Sequence, residues 1–293
     1  MQATHTNPGM VAQARTRQTR LPPTLWLGAL LTGVLIVAAT LAPLIAPYPV
    51  DLINGAARLS PPNAAYRLGT DALGRDLFSR ILHGARLALQ GALVGTATAG
   101  MLGIPLGALA GYCGGRTDRL LSRLVEVWLG MPPLLIATVL VARAGPSLTH
   151  AMLALGVASA PAYYRITRSR MMILRRQDYV EAAAALGAGP VRITLRHLLP
   201  NCMPSLLVVT TTRMGRFVLM GGALSFVGLG AQPPQPEWGL LLAEGRASLA
   251  TAPWLSLYPG IAITFGVLGL TLLGEGLATW LDVRVARSTQ RPG

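Results

Sequence analysis

Long apolar runs bracketed by arginines set the rhythm of this chain. No charged residue lies between Leu21 and Val50, and Leu25 to Ala46 forms a first apolar stretch that ends before Pro47 and Pro49. A helix needs roughly 20 residues to cross a hydrocarbon core of about 30 Å, so this stretch is long enough to span one. Arg86 and Arg116 bracket a second run, Leu87 to Gly115. The third, Leu120 to Ala142, contains Arg123, Glu126 and the pair Pro132-Pro133, which predicts a kink or a break there. Ala144 to Tyr164 is a fourth run, and Pro204 to Gly230, with Arg213 and Arg216 inside it, is a fifth. The sixth runs from about Ser256 to Ala278, between Arg246 and Glu275. The pattern predicts an all-α integral membrane protein with six transmembrane helices.

Six spans put both termini on one side, and the charge of the connections decides which side. Arg15, Arg17 and Arg20 precede the first span; Arg116, Arg119 and Arg123 sit between the second and third. Arg165, Arg168, Arg170, Arg175, Arg176, Arg192 and Arg196 fill the connection after the fourth, and Arg284, Arg287 and Arg291 follow the last. The opposite connections carry only Arg143 and Arg246, apart from a long first loop where Arg58, Arg67, Arg75, Arg80 and Arg86 stand against Asp51, Asp71 and Asp76. Long loops weigh less than short ones in this rule. The expected layout is a cytoplasmic tail at 1–24, a first transmembrane helix at 25–46 and an extracytoplasmic segment at 47–86. A five-helix core at 87–280 follows, including a cytoplasmic loop at 165–203, and then a cytoplasmic tail at 281–293.

Composition agrees with a membrane chain. Of the 293 residues 52% are hydrophobic and 12% charged, against about 25% charged in a typical soluble domain. The net charge of +14 does not point to nucleic acid, because only 5% of residues are aromatic and the basic residues flank apolar runs. All 25 basic residues are arginine. Without a lysine there is no Walker A loop, whose Lys must reach the β/γ-phosphates. Gly69-Thr-Asp-Ala-Leu-Gly74-Arg75-Asp76 has the glycine spacing but lacks the Lys-Ser/Thr end. Any ATP used must therefore be bound by another chain. Cys113 and Cys202 form neither a disulfide framework nor a metal-ligand pattern, and the expected topology places both near the reducing cytoplasmic side. No signal-type cleavage site follows the polar amino end, so the first span is expected to remain uncleaved.

The cytoplasmic loop holds the most specific pattern. Asp178 to Leu186 is rich in helix formers, Gly187-Ala-Gly189-Pro190 supplies a stop and a turn, and a second short segment, Val191 to Leu199, runs to Pro200. Ala182 and Ala183 leave a flat helix surface over which a partner's groove could close, with Glu181 as a polar contact at its rim. Glu181, Ala182, Ala183, Gly187, Leu199 and Pro200 together resemble the "EAA" loop of bacterial ABC importer permeases, the surface that engages the ATPase subunit. His197 replaces the usual apolar residue, and the run Arg196 to Asn201 resembles the Arg-His-x-Leu-Pro-Asn form of the peptide and nickel importer subfamily. No second ligand near His197 supports a metal role.

The resemblance covers roughly residues 25–285. Leu68-Gly-Thr-Asp71-x-x-Gly74-Arg75-Asp76-x-x-Ser79-Arg80 with Gly84-x-Arg86 is similar to the segment after span one in the second-permease (C-type) subunits of that subfamily. Leu224-Ser-Phe-x-Gly-Leu-Gly230, Gln232-Pro-Pro, Trp238-Gly239, Pro253-Trp254 and Pro259-Gly260 continue it. Two departures occur: Gly221-Gly222 stands where related subunits have Glu-Ala, and Gly274-Glu275-Gly276-Leu277 with Asp282-Val283-Arg284 replaces Gly-Asp-Gly-Leu and Asp-Pro-Arg. The first removes an acid from span five and leaves substrate charge preference open.

The resemblance implies the type I ABC importer permease fold with a cytoplasmic coupling-helix loop, in a bacterial cytoplasmic (inner) membrane. It implies a transport subunit rather than an enzyme, carrying di- or oligopeptides, with nickel or a metal chelate as the alternative. Its partners would be a second homologous permease, two ABC ATPase subunits that hold the ATP and Mg, an extracytoplasmic substrate-binding protein and the lipid bilayer. The chain itself would bind no cofactor or metal.

Several residues admit two readings. Asp71, Arg75, Asp76 and Arg80 form self-compensating ion pairs, either on a solvated loop scaffold or as a docking surface for the binding protein. Arg213 and Arg216 lie too deep in their span, about 13 and 18 Å from Pro204 along a helix, to be dismissed as ends. They either snorkel or pair across subunits, or they line the pathway and favour an anionic group such as a peptide carboxylate. The glycines Gly91/Gly95 and Gly103/Gly107/Gly111 permit close helix approach, as static packing or as a sliding interface. A secondary transporter would need intramembrane carboxylates, and only Glu126 and Glu275, near span ends, are placed for that. A membrane-embedded enzyme lacks its His-Glu-x-x-His or Gly-x-Ser-x-Gly motif.

Overall fold

The computed structural model describes residues 21–288, with side chains described to residue 281. The expected amino-terminal tail up to residue 20, with Arg15, Arg17 and Arg20, and the last residues, with Arg291, lie outside the described residues. The described chain is helical: α1 (Pro23–Ile45), α2 (Leu77–Cys113), α3 (Gly115–Leu129), α4 (Pro133–Ala144), α5 (Leu148–Leu174), α6 (Asp178–Ala185), α7 (Pro190–Ile193), α8 (Leu199–Phe226), α9 (Trp238–Gly245) and α10 (Trp254–Ser288). Three of these, α1, α2 and Trp254–Leu281 of α10, are long and apolar enough to cross a membrane. The 27-residue α5 and the 28-residue α8 are long enough but carry arginines.

The third apolar run breaks. α3 and α4 meet at 84° across Gly130-Met131-Pro132. Neither Pro132 nor Pro133 has an N–H to give back to the preceding turn, and a residue before proline is pushed out of the helical region. Two other boundaries differ from the apolar runs. α2 begins at Leu77, not Leu87, because Asp76 caps it: its Oδ2 accepts from the Ser79 backbone N–H at 2.8 Å and the Ser79 hydroxyl at 2.7 Å. Arg80 and Arg86 are thereby helical. In the loop after α6, the segment expected to stop at Pro200 instead runs into α8 through a π-helical turn, Thr194–Leu198. A regular turn would drive the Pro200 ring against the Arg196 carbonyl, and the widened turn relieves that contact. The Leu199 N–H reaches back to the Thr194 carbonyl, and the Asn201 side-chain amide donates to the His197 carbonyl at 2.6 Å.

The outside of the bundle is apolar and the inside is small. Trp26, Leu30 and Leu44 of α1 are 64%, 63% and 83% exposed, which water would penalise and lipid tails accept. Ala92, Ala99, Ala110 and Ala137 are fully buried. Lipid offers no hydrophobic drive between helices, so close van der Waals approach must hold them together. α2 packs along α5, and α10 along α1 and α8. At Gly107 a Cβ would stand 2.5 Å from the Tyr164 carbonyl, so only glycine lets α2 and α5 approach this closely. The Arg168 guanidinium pairs with Asp118, with Nη2 donating to Oδ2 at 2.6 Å, and fastens the start of α3 to α5.

Candidate functional site

The loop between α5 and α8 is anchored by Val180, Ile193 and Leu198 and turns its other face outward. α6 presents Glu181 and Ala182 to the outside, with Ala183 half-buried, while Val180 anchors the helix at 6% exposure. Gly187 takes φ +83°, a left-handed turn that a Cβ would strain, and nothing lies within 4 Å of where that Cβ would stand. It therefore serves the backbone and not packing. Leu199 is half-buried and Pro200 exposed at the start of α8. The loop also projects apolar side chains that the motif did not single out: Leu186 is 89% exposed, Val191 71% and Leu195 60%. The signal was available, because a Leu directly before a helix-ending glycine in an arginine-rich loop has no core to enter.

On the far side of the bundle, motifs distant in sequence meet in one buried knot. Asp71 Oδ2 accepts from Arg75 Nε at 2.6 Å and from Arg80 Nη1 at 3.1 Å. Both arginines also reach Glu244 Oε2 of α9, each at 3.2 Å. Asp71 Oδ1 accepts the backbone N–H groups of Leu73 and Arg75. The group is not solvated: the Arg80 side chain is fully buried and those of Asp71 and Arg75 are 7% exposed. The solvated-loop reading is corrected here, for a physical reason. Two carboxylates and two guanidiniums in one cluster cancel their charge and satisfy most of one another's hydrogen bonds, Arg80 Nε being left without a partner, which is close to the condition for leaving water. Glu244 was missed, since a single acid 169 positions from Arg75 shows no partner in one dimension.

The same knot takes in the tryptophans. Trp238 Nε1 donates to the Ile81 carbonyl at 2.9 Å, and Gly84 leaves room for Pro236 and the Trp238 ring. Trp254 Nε1 donates to the Thr70 carbonyl at 3.4 Å. Next to it Glu237, 3% exposed, caps α9 by accepting the Leu240 N–H at 3.0 Å. Burial pushes the Glu237 carboxyl above its ordinary range, while hydrogen bonds from Gly239, Ser225 and Leu240 pull the other way. Gly222 and Gly239 touch backbone to backbone. A Cβ at Gly222 would make ordinary contacts with Ile263 Cδ1 at 3.6 Å and with Glu237 Oε1 and Gly239 Cα at 3.9 Å, whereas one at Gly221 would run into the end of Met152.

Arg213, half-buried, and Arg216, exposed, lie one turn apart on α8 and face cavities shared with α5. Among the described residues no three of His, Cys, Asp and Glu gather into a metal-binding group.

Residues 103–287 match the family described as the binding-protein-dependent transport system inner membrane component. The chain belongs to this family. It is 42% identical over 266 residues to a di/tripeptide transport system permease protein of Pseudomonas aeruginosa, covering 88% of each chain. It is 39% identical over 258 residues to a dipeptide transport system permease protein of Alkalihalophilus pseudofirmus, covering 88% of this chain and 85% of that one. A glutathione transport system permease protein of Pectobacterium atrosepticum is 38% identical over 253 residues, 86% of this chain and 84% of the relative. Among solved structures, a chain of the MetNI methionine ABC transporter in an inward-facing conformation superposes with a TM-score of 0.55 at 20% identity. The match covers 72% of this chain and 97% of that one, and it speaks for the fold alone. As an inner membrane component of this family, the chain is a multi-pass permease subunit of a transport system and not itself an enzyme.

Proposed function

We propose that this permease forms half of the translocation pathway of an ATP-driven importer of di- and oligopeptides. The transport systems named for its relatives carry dipeptides, di/tripeptides and glutathione, and this favours peptides over nickel or a metal chelate. In this reading six spans cross a bacterial cytoplasmic membrane with both termini inside, and the chain pairs with a second, homologous permease. Two ATPase subunits, which hold the ATP and Mg, grip the 165–203 loops of the two permeases. A substrate-binding protein docks outside. There the buried Asp71, Arg75, Asp76 and Arg80 act by holding the shape of the outer loop rather than by touching the docked protein.

The observation that carries the reading is the loop surface. Leu186, Val191 and Leu195 are 89%, 71% and 60% exposed beside Glu181 and Ala182, in a loop too rich in arginine to lie in lipid. An exposed apolar group rimmed by polar residues marks a protein contact. The test is a mild-detergent capture of the tagged permease from its native membrane, with mass spectrometry of what accompanies it and peptide uptake by the same cells. Recovery of a second permease and ATPase subunits is expected. Glu181→Lys should abolish uptake and ATPase recovery while membrane insertion is kept. Normal uptake in that variant would remove the coupling role.

A further inference from the structure

α5, α8 and the end of α10 enclose a groove that carries arginines at intervals along it. A cavity of about 740 Å³ lies between them, its polar lining supplied by Arg165, Ser169 and Arg170 of α5 and by Asn201, Ser205 and Arg213 of α8, with Ala278 and Leu281 of α10 on the remaining wall. Arg213 also lines a second cavity of about 200 Å³, together with Arg216, Met220 and Ser159, under the break between α3 and α4. On α8 these positions fall at 201, 205, 209, 213, 216 and 220, spacings of three and four that put them on one helix face. At 1.5 Å per residue the face runs about 28 Å, close to the ~30 Å of a hydrocarbon core. Among the described side chains no Asp or Glu lines either cavity, and none of Arg165, Arg170, Arg213 and Arg216 forms an ion pair with a carboxylate. Elsewhere this chain compensates its inward-facing guanidiniums, as at Arg75, Arg80 and Arg168.

We infer that this groove is a binding track for a carboxylate, in which Arg216 and Arg213 hold the anionic end of the cargo midway and Arg165 and Arg170 receive it at the next station. The inference rests on the peptide-import reading and adds to it the chemical feature of the cargo that the membrane subunit selects. A guanidinium near the middle of a span is expensive unless a counter-charge visits it. A peptide carboxylate supplies that charge in the planar, bidentate form that arginine matches.

The experiment uses the complete transporter, with both permeases, the ATPases and the binding protein, in proteoliposomes. The probes are dialanine and its C-terminal amide, alanyl-alaninamide, with uptake of each expressed relative to the unmodified complex so that the binding protein's own preference cancels. In the Arg213→Gln/Arg216→Gln double variant the ratio of dialanine to alanyl-alaninamide uptake should fall at least tenfold, the weight of about one charge-assisted hydrogen bond. Arg213→Lys should hold that ratio within about threefold, since the charge is kept while the fork geometry is lost. A loss equal for both probes would overturn the inference and assign the arginines to pairing with the partner permease, as would an unchanged ratio. No uptake of any probe by the unmodified complex would overturn the peptide reading itself, and this inference with it.

Discussion

Leu186 offers the sharpest test of the coupling surface, because its side chain is almost wholly exposed and little packing would confuse the result. At 89% exposure it is the most exposed large apolar residue of the described chain. It closes α6 immediately before Gly187, at φ −80°, a conformation alanine adopts without strain. Leu186→Ala should therefore leave the isolated permease as stable as before. If the side chain is buried by an ATPase subunit, its loss removes a transfer free energy of about 2 kcal/mol, since full burial of a leucine is worth roughly 1.5–3 kcal/mol. A loss of that size weakens association by about thirtyfold at each loop, because every 1.4 kcal/mol or so is a factor of ten. The assay is titration of nanodisc-held permease pairs with purified ATPase subunits, reading affinity and transport-coupled ATP hydrolysis, with thermal unfolding of the permease as the control. Affinity within about threefold of the unmodified protein, at unchanged stability, would refute the claim that this loop is the contact surface. A fall in stability would refute the claim that Leu186 is free within the chain.

Three further expectations follow from the same geometry. Asp71→Asn leaves Arg75 and Arg80 with Glu244 as their one acid, so the permease in detergent should lose about 3–5 kcal/mol of stability, read as a fall in its unfolding midpoint; an unchanged midpoint would mean the cluster holds nothing together. Gly107→Ala places a Cβ 2.5 Å from the Tyr164 carbonyl, a backbone atom that cannot swing aside, and should cost about 1–3 kcal/mol by parting α2 from α5. The Glu237 carboxyl is raised above its unfolded value, so the folded state holds that proton more tightly than the unfolded chain does. Stability from this group is present below the ordinary glutamate range of about 4.3 and is lost as pH rises from there through the raised folded value. Glu237→Gln should flatten that fall in a series of pH-dependent unfolding curves, and an unaltered slope would count against the assignment.

The sequence by itself determined what could be decided by local chemistry and by one-dimensional charge. Apolar runs between arginines gave a helical membrane chain; the absence of lysine removed a phosphate-binding loop; Pro132-Pro133 dictated the break between α3 and α4. Glu181 to Gly187 and Leu199-Pro200 carried the family pattern because a helix stop and a proline act on the residues beside them. Tertiary structure decided what depends on who meets whom. It drew Asp71, Arg75 and Arg80 out of water by bringing in Glu244 from α9, and it joined Gly84 to Trp238. It aligned Arg213 and Arg216 with Arg165 and Arg170 across a groove between two helices. It also carried Pro200 inside a continuous helix, through a π turn that the preceding residues had to widen to admit it. The desolvation of a charge is set by the complete shell of groups around it, and that shell is assembled from segments whose separation in the chain carries no trace of their contact.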